Sequence, residues 1–295
     1  MSQFLCVDVG GSSIKMGIFD EEGEKLESFS YKTPSTLEEM YNLICKVFFK
    51  YTHLSGVALS MPGAVDSVKG IIGGSSAIDY IHGPCIKKDL EERLHVRVEM
   101  ENDANCAALA EVWKGAGKDV DDCCFIVSGT GIGGAVVKNK RIHKGVHLHG
   151  GEFGYMIAQL DYETKEMKTW SDIGSTVAVV KEVAKGLSVD EDTLDGKDIF
   201  DHYHDNPVYE KAVDQYYYAL ASGIYNLQYA YDPQKIIIGG GISVRDDLLD
   251  EINQRLDVIF EHFPHAKIRP NILTCQYHND ANLLGALYHY FTSNS

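Results

Sequence analysis

Twice in this sequence an apolar run ends in a cluster of glycines and is followed at once by a second strand-like run. The first is Phe4-Leu5-Cys6-Val7, which leads through Asp8 to Gly10 and Gly11. The second is Cys124-Phe125-Ile126-Val127, which leads through Ser128 to Gly129, Gly131, Gly133 and Gly134. Glycines in such density are costly to order unless the backbone needs positive φ or a ligand comes close to it. A repeat of this kind predicts two related lobes, and 295 residues are enough for two domains with a core each.

The rest of the chain fills out an α/β pattern. Strands are expected at Phe4 to Val9, Ile14 to Asp20 and Leu26 to Lys32, at Val57 to Ser60 and Val96 to Met100, and again at Lys235 to Ile238. Helical spacing runs through Thr36 to Tyr51, Asp103 to Lys114, Ser175 to Lys185, Val208 to Tyr231, Asp246 to Phe263 and Asp280 to Phe291. No Pro- or Ser-rich linker divides the halves. The stretch Lys114 to Asp122 is the expected crossing point, which gives a first lobe of residues 1–116 joined by 279–295, and a second of residues 117–278.

Charge and cysteines narrow the function. Forty-three acidic residues against 27 basic ones give a net charge of -16, with no basic patch to offset it, which argues against nucleic acid and anionic membrane as partners. A small anion that arrives with magnesium is still compatible. The 7 cysteines form no C-x-x-C pair, and no apolar run is long enough to span a bilayer, so a reducing, cytoplasmic setting is expected.

Four places carry chemistry. Asp8 ends an apolar strand just before Gly10, Gly11, Ser12, Ser13 and Lys15. Such a turn exposes backbone N–H groups to phosphate, and the carboxylate can hold Mg2+ directly or through water. Alone, it is also what a plain hairpin turn looks like. Thr130, Gly131 and Gly133 form the second turn, and Ile236-Ile237-Ile238 runs into Gly239, Gly240 and Gly241, where adenosine can approach the backbone. Between them, Glu101-Asn102-Asp103 stands at a strand-to-helix junction. Asp103 there can cap the helix or act as a carboxylate base toward a hydroxyl.

The ordered series D-x-G-G-S-x-I-K, P-G-A-V-D, E-N-D-A-N, S-G-T-G-I-G-G, G-E-F-G-Y and I-I-I-G-G-G-I resembles the ROK family of sugar kinases and repressors, over nearly the whole chain. The resemblance implies two ribonuclease-H-like lobes of the actin/hexokinase-type ATPase class, with an interlobe active-site cleft for ATP and a hexose. It implies Asp8, Gly10, Gly11, Ser12 and Lys15 as the first phosphate loop, and Thr130, Gly131 and Gly133 as the second. Gly239 and Gly240 would lie on the adenosine side, Asp103 would be the base, and Gly63, Asn102 and Glu152 would surround the sugar. A homodimer is usual in that family.

Two departures stand out. Tyr155 occupies the place of a family histidine, and residues 159–171 lack the cysteines of the family's zinc loop, so no structural zinc is expected. Trp170 falls near the place of a sugar-binding glutamate. Tyr155 and Trp170 are either packing aromatics or an apolar platform for a glycoside such as a β-glucoside. His143, His147 and His149 have no cysteine or second histidine pair beside them, and read as solvated or sugar-proximal rather than metal-binding. The expected activity is ATP-dependent phosphorylation of a hexose or glycoside at the C6 hydroxyl, on glucose, N-acetylmannosamine or a β-glucoside. Two other readings compete: a sugar-responsive regulator, for which the residues ahead of Asp8 leave no room for a helix-turn-helix, and a non-catalytic binding module, against which Asp103 speaks.

Overall fold

The computed structural model describes residues 2–278 and 280–293. Contacts divide the chain into two units: residues 1–118 with 144–149 and 277–295, and residues 119–143 with 150–276. Asn279, the sequence-based start of the returning segment, lies outside the described residues. Among the described residues no helix is long and apolar enough to cross a membrane.

In the first unit the chain runs β1 (Gln3–Val9), β2 (Ser13–Asp20), β3 (Lys25–Lys32), α1 (Leu37–Phe48), β4 (Leu54–Met61), a small hairpin β5 (Ala64–Asp66) and β6 (Ile71–Gly73), α2 (Ile86–Leu94), β7 (Arg97–Asn102) and α3 (Asp103–Trp113). The second unit holds β8 (Cys123–Ser128), β9 (Ile132–Lys138), β10 (Arg141–Ile142), β11 (Ile157–Leu160), β12 (Met167–Thr169), α4 (Trp170–Gly174), α5 (Thr176–Leu187), α6 (Gly196–Asp201), α7 (Pro207–Tyr231), β13 (Lys235–Gly239), α8 (Leu248–His262) and β14 (Ile272–Thr274). The last helix, α9 (Ala281–Thr292), belongs to the first unit again.

Each unit is built on a five-stranded mixed sheet of the same plan. The orders are β3-β2-β1-β4-β7 and β10-β9-β8-β13-β14. In both, the apolar strand that starts the repeat pairs antiparallel with the strand after its glycines and parallel with a later strand. The two-residue side-chain period then decides what each strand shows to its neighbours. Leu5, Val7 and Val9 pack with Met40, Ile44 and Leu90 from α1 and α2. Phe4 and Cys6 turn the other way and pack with Cys106 of α3 and Leu283 and Leu287 of α9. Asp8 shares their parity, so the carboxylate at the strand's end comes out on the α3–α9 side. Small residues let those two helices close, with Ala110 against Ala281 and Leu284.

The second unit's core decides between the two readings of Trp170. Trp170, a candidate for the sugar platform, is 1% exposed. Its ring packs against Gly223 of α7 and Gly174, and its centroid lies 6.4 Å from that of Phe153. Two glycines on facing helices leave a slot that only a flat ring fills, so Trp170 is a core residue. Tyr155 is 76% exposed. Trp170 therefore cannot present a face beside it to a solvent-borne sugar. The segment around residues 159–171 folds as the β11–β12 hairpin, whose turn is closed by Asp161 Oδ1 accepting from the N–H groups of Glu163 (2.7 Å) and Thr164 (3.0 Å).

Candidate active site

In the first unit the site is organised by the ends of β1, β4 and β7, three parallel neighbours. Asp8 lies opposite Ser60 in β4, and Asp8 Oδ1 accepts from Ser60 Oγ (2.8 Å) and from Asn282 Nδ2 of α9 (3.0 Å). These two donors fix the carboxylate and engage one of its oxygens. Oδ2 is left as the natural acceptor for a metal-bound water, so the residues present suit a hydrated Mg2+. Beyond it the β1–β2 turn is closed by Gly10 N–H donating to Ser13 O (3.0 Å), while Thr33 Oγ1 donates to Gly10 O (2.5 Å). Gly11 and Ser12 stand exposed at the tip, and Lys15 pairs opposite Asp8 across the hairpin.

The end of β7 settles which residue caps α3. Asn102 holds the N-cap, with Oδ1 accepting from Asn105 N–H at 3.2 Å. Its Nδ2 donates in turn to Gly63 O (3.1 Å) and to Asp103 Oδ1 (2.9 Å). Asp103 is thus the first helical residue and not the cap. Its Oδ1 also accepts from Ala104 N–H (2.8 Å). Burial raises the Asp103 carboxyl above the ordinary carboxylate range; the Ala104 N–H works against this, repulsion from Asp8 adds to it, and the Asn102 amide opposes it. The net result is a carboxylate held in one orientation and made a better proton acceptor.

Gly63 sits at φ +93°, and a Cβ there would meet Ile72 Cγ2 at 2.9 Å and His82 Cε1 at 3.2 Å, so only glycine fits. Next to it, Ser76 Oγ lies 2.9 Å from His82 Nε2. Ser60, Asn282, Ser76 and His82 carried no signal in the sequence that would single them out.

In the second unit, the turn after β8 is fastened from below. Ser128 is fully buried, and its Oγ lies 3.0 Å from Tyr216 Oη and donates to Gly174 O (3.3 Å). Thr176, at the start of α5, donates to Gly129 O through Oγ1 (2.8 Å) and N–H (3.0 Å). Above the turn the space is open: a Cβ on Gly129 or Gly133 would meet nothing within 4 Å. Open room over a fixed, glycine-rich backbone is what a polyphosphate needs. Gly240 (φ +91°) seats the third glycine cluster directly on Ser128, whose backbone a Cβ would overlap. Beside these two turns lies a cavity of about 400 Å³, lined by Ser128, Thr176, Phe200, Ile242, Val244 and Arg245 among others. That size and mixture suit a nucleoside. Thr176, Phe200 and Arg245 went unread in the sequence.

Glu152 and Tyr155 also belong to the second unit, in and just before a short 3-10 turn. Asp8, Gly10, Gly11, Ser12, Lys15, Gly63, Asn102 and Asp103 belong to the first, and Thr130, Gly131, Gly133, Gly239 and Gly240 to the second. His143, His147 and His149 are exposed, with His149 Nδ1 turned onto His147 O at 2.6 Å.

The model of the ROK family matches residues 4–291. The chain belongs to the ROK family. A beta-glucoside kinase of Listeria innocua is 33% identical, with 96% of this chain and 95% of that one covered. A glucokinase of Halalkalibacterium halodurans is 29% identical over 96% of this chain and 93% of its own. Among solved structures, a ROK family protein from Streptococcus pneumoniae in complex with sucrose superposes with a TM-score of 0.92 at 34% identity, covering 99% of both chains. This ROK chain therefore has the mixed α/β, two-lobe architecture of the family's sugar kinases.

Proposed function

We propose that this ROK protein is a sugar kinase that transfers the γ-phosphoryl group of ATP to the C6 hydroxyl of a hexose or hexose-containing glycoside, with Asp103 as general base. The observation that carries the reading is the state of Asp103: one oxygen is fully engaged by Ala104 and Asn102, the capping duty is carried by Asn102, and burial keeps the carboxyl basic. A carboxylate that only closed a helix would need none of this. Support comes also from the relatives, named as beta-glucoside kinase, glucokinase and N-acetyl-D-glucosamine kinase, and from a Streptomyces griseus ROK glucokinase in complex with glucose and AMPPNP at 27% identity and TM-score 0.76.

Magnesium-bound ATP supplies the phosphoryl group and the charge that neutralises it. The chain's own part is positioning. Thr130 and Gly131 offer backbone N–H groups to phosphate oxygens over the room that Gly129 and Gly133 leave open, and Gly11 and Ser12 do so at the exposed tip of the first unit's turn, which Gly10 closes and on whose hairpin Lys15 adds positive charge. Asp8, its carboxylate fixed by Ser60 and Asn282, would hold Mg2+ directly or through water. Asn102, Gly63 and Glu152 hold sugar hydroxyls, and Asp103 takes the proton as the new O–P bond forms. Tyr155, exposed and aromatic, is the residue suited to stack on a sugar or aglycone.

Among acceptors, a β-glucoside has the first claim, since three of the relatives carry that name at 31–33% identity. The direct test is ADP release in the presence of Mg2+ across cellobiose, glucose, N-acetylglucosamine and N-acetylmannosamine, with phosphorus NMR to place the phosphate. ADP release that no sugar stimulates would refute the reading.

A further inference from the structure

Behind the base lies a buried charge that the phosphoryl-transfer scheme does not use. Glu101, two residues before Asp103, is 1% exposed. Its Oε1 accepts from Asn102 N–H (2.7 Å) and from Asn105 Nδ2 (3.0 Å), so it grips both sides of the residue that caps α3. Its Oε2 faces Lys144 Nζ at 2.7 Å and His289 Nδ1 at 3.7 Å. Burial pushes the His289 imidazole toward its neutral form, so the cation that balances Glu101 is Lys144. Oε2 lies off the direction of a hydrogen bond, and the attraction there is one of charge.

Lys144 comes from a segment, residues 144–149, that belongs with the first unit although the chain on both sides belongs to the second. Its hydrogen bonds go elsewhere: to Val65 O (3.1 Å) and Ser67 Oγ (2.9 Å), in the β5–β6 hairpin that begins just after Gly63. A second lysine, Lys87 of α2, donates to Ser67 O (3.4 Å) and pairs with Glu99 (2.7 Å). One ammonium thus reaches the strand end that bears Asn102 and Asp103 and the hairpin that follows the carbonyl Asn102 holds.

We propose that Lys144 is a positioning residue for the phosphoryl acceptor: by tying Glu101 to Val65 and Ser67, it holds the Asn102–Asp103 junction and the Gly63 loop at one fixed spacing. The proposal rests on the kinase reading. Lysine suits the task because its ammonium donates to a carbonyl and a hydroxyl while its charge balances the carboxylate. The interaction is buried, so removing one partner leaves an uncompensated charge, while removing both charges does not. That difference separates positioning from plain stability.

The test compares Lys144→Met, the double variant Lys144→Met/Glu101→Gln and the mild variant Ser67→Ala, each in the full chain. Tm and the kinetic constants for sugar and for ATP are measured separately. Lys144→Met should lower Tm and lower kcat/KM for the sugar by about 10- to 100-fold, as expected of a displacement of about 1 Å at the reacting groups, and leave the KM for ATP unchanged. The double variant should regain Tm without regaining the sugar's kcat/KM, and Ser67→Ala should show a several-fold loss for the sugar alone. Recovery of sugar kinetics together with Tm in the double variant would overturn the proposal, as would wild-type sugar kinetics in Ser67→Ala. Should Lys144→Met fail to fold, the other two variants decide. A wild-type chain that phosphorylates no sugar would strike the kinase reading itself, and is seen before any variant is made.

Discussion

Replacing Gly240 with alanine perturbs the proposed nucleotide side at a single point. Gly240 has φ +91° and ψ 177°, a region that essentially only glycine occupies, and holding another residue there costs about 1–3 kcal/mol. The added Cβ would also overlap the carbonyl oxygen of Ser128 and lie 2.9 Å from its carbonyl carbon and 3.1 Å from its nitrogen. Ser128 cannot yield easily, since its side chain is buried and tied to Tyr216 and Gly174. Relief therefore requires about 1 Å of movement between the β13 glycines and the β8–β9 turn, a displacement of the size that can cost about 100-fold at a reacting site. The expected result is a rise of about 10- to 100-fold in the KM for ATP, with the KM for sugar unchanged, and a loss of several degrees in Tm at about 2–4 °C per kcal/mol. Gly73→Ala is the comparison, because a Cβ there lies 3.8 Å from its nearest neighbour, needs no unusual φ and stands in the first unit, away from these turns. ATP-dependence of initial rates measures both variants. A folded Gly240→Ala protein with wild-type KM for ATP would refute the idea that these two glycine turns together seat the nucleotide.

Two other expectations concern the acceptor side. The proposed base Asp103 must be ionised to accept a proton, so kcat/KM should be held at high pH and lost as pH falls through its raised pKa; the acid limb should lie above the ordinary carboxylate range and move down in Asp8→Asn, where one source of repulsion is gone. A pH–rate profile with the limb at or below the ordinary range would contradict the buried environment. Trp170→Ala should cost about 3–5 kcal/mol in stability by emptying the slot between Gly174 and Gly223, whereas Tyr155→Ala should leave Tm alone and raise the KM for cellobiose more than that for glucose. Thermal melts and paired KM values separate the two residues, and equal KM effects would remove Tyr155 from substrate recognition.

The elements that build the site were largely readable because their signals are local. Strands β1 to β3, β8 and β13, and helices α1, α3, α5, α7, α8 and α9, lie within a few residues of where alternation and helical spacing put them. The glycine clusters marked both turns for the same reason. What escaped notice depends on distance along the chain. Asn282 reaches Asp8 across 274 positions, Lys144 enters the first unit from within the second's sequence, and neither residue type says so. Helix α2 and the β5–β6 and β11–β12 hairpins are short, and both hairpin turns lean on an aspartate side chain, Asp66 or Asp161, that accepts from nearby backbone N–H groups, with a lone Gly70 donating to Asp66 O in the first. Trp170 stays open between packing and platform in the sequence because its partner Gly223 lies far away along the chain and a glycine announces no contact. Asp103 was the natural guess for the cap of α3; Asn102 supplies that bond through its own side chain, one position earlier.

In its proposed role Asp103 serves chemistry at a cost to folding, since burial disfavours its ionised form in the folded chain. Asp103→Asn keeps an oxygen for the Ala104 N–H and removes the charge. Turnover of sugar and ATP, measured beside a thermal melt, should show kcat lowered by roughly 10²- to 10⁴-fold with Tm equal to the wild type or higher. Near-normal turnover in that variant would contradict the account, whatever its stability.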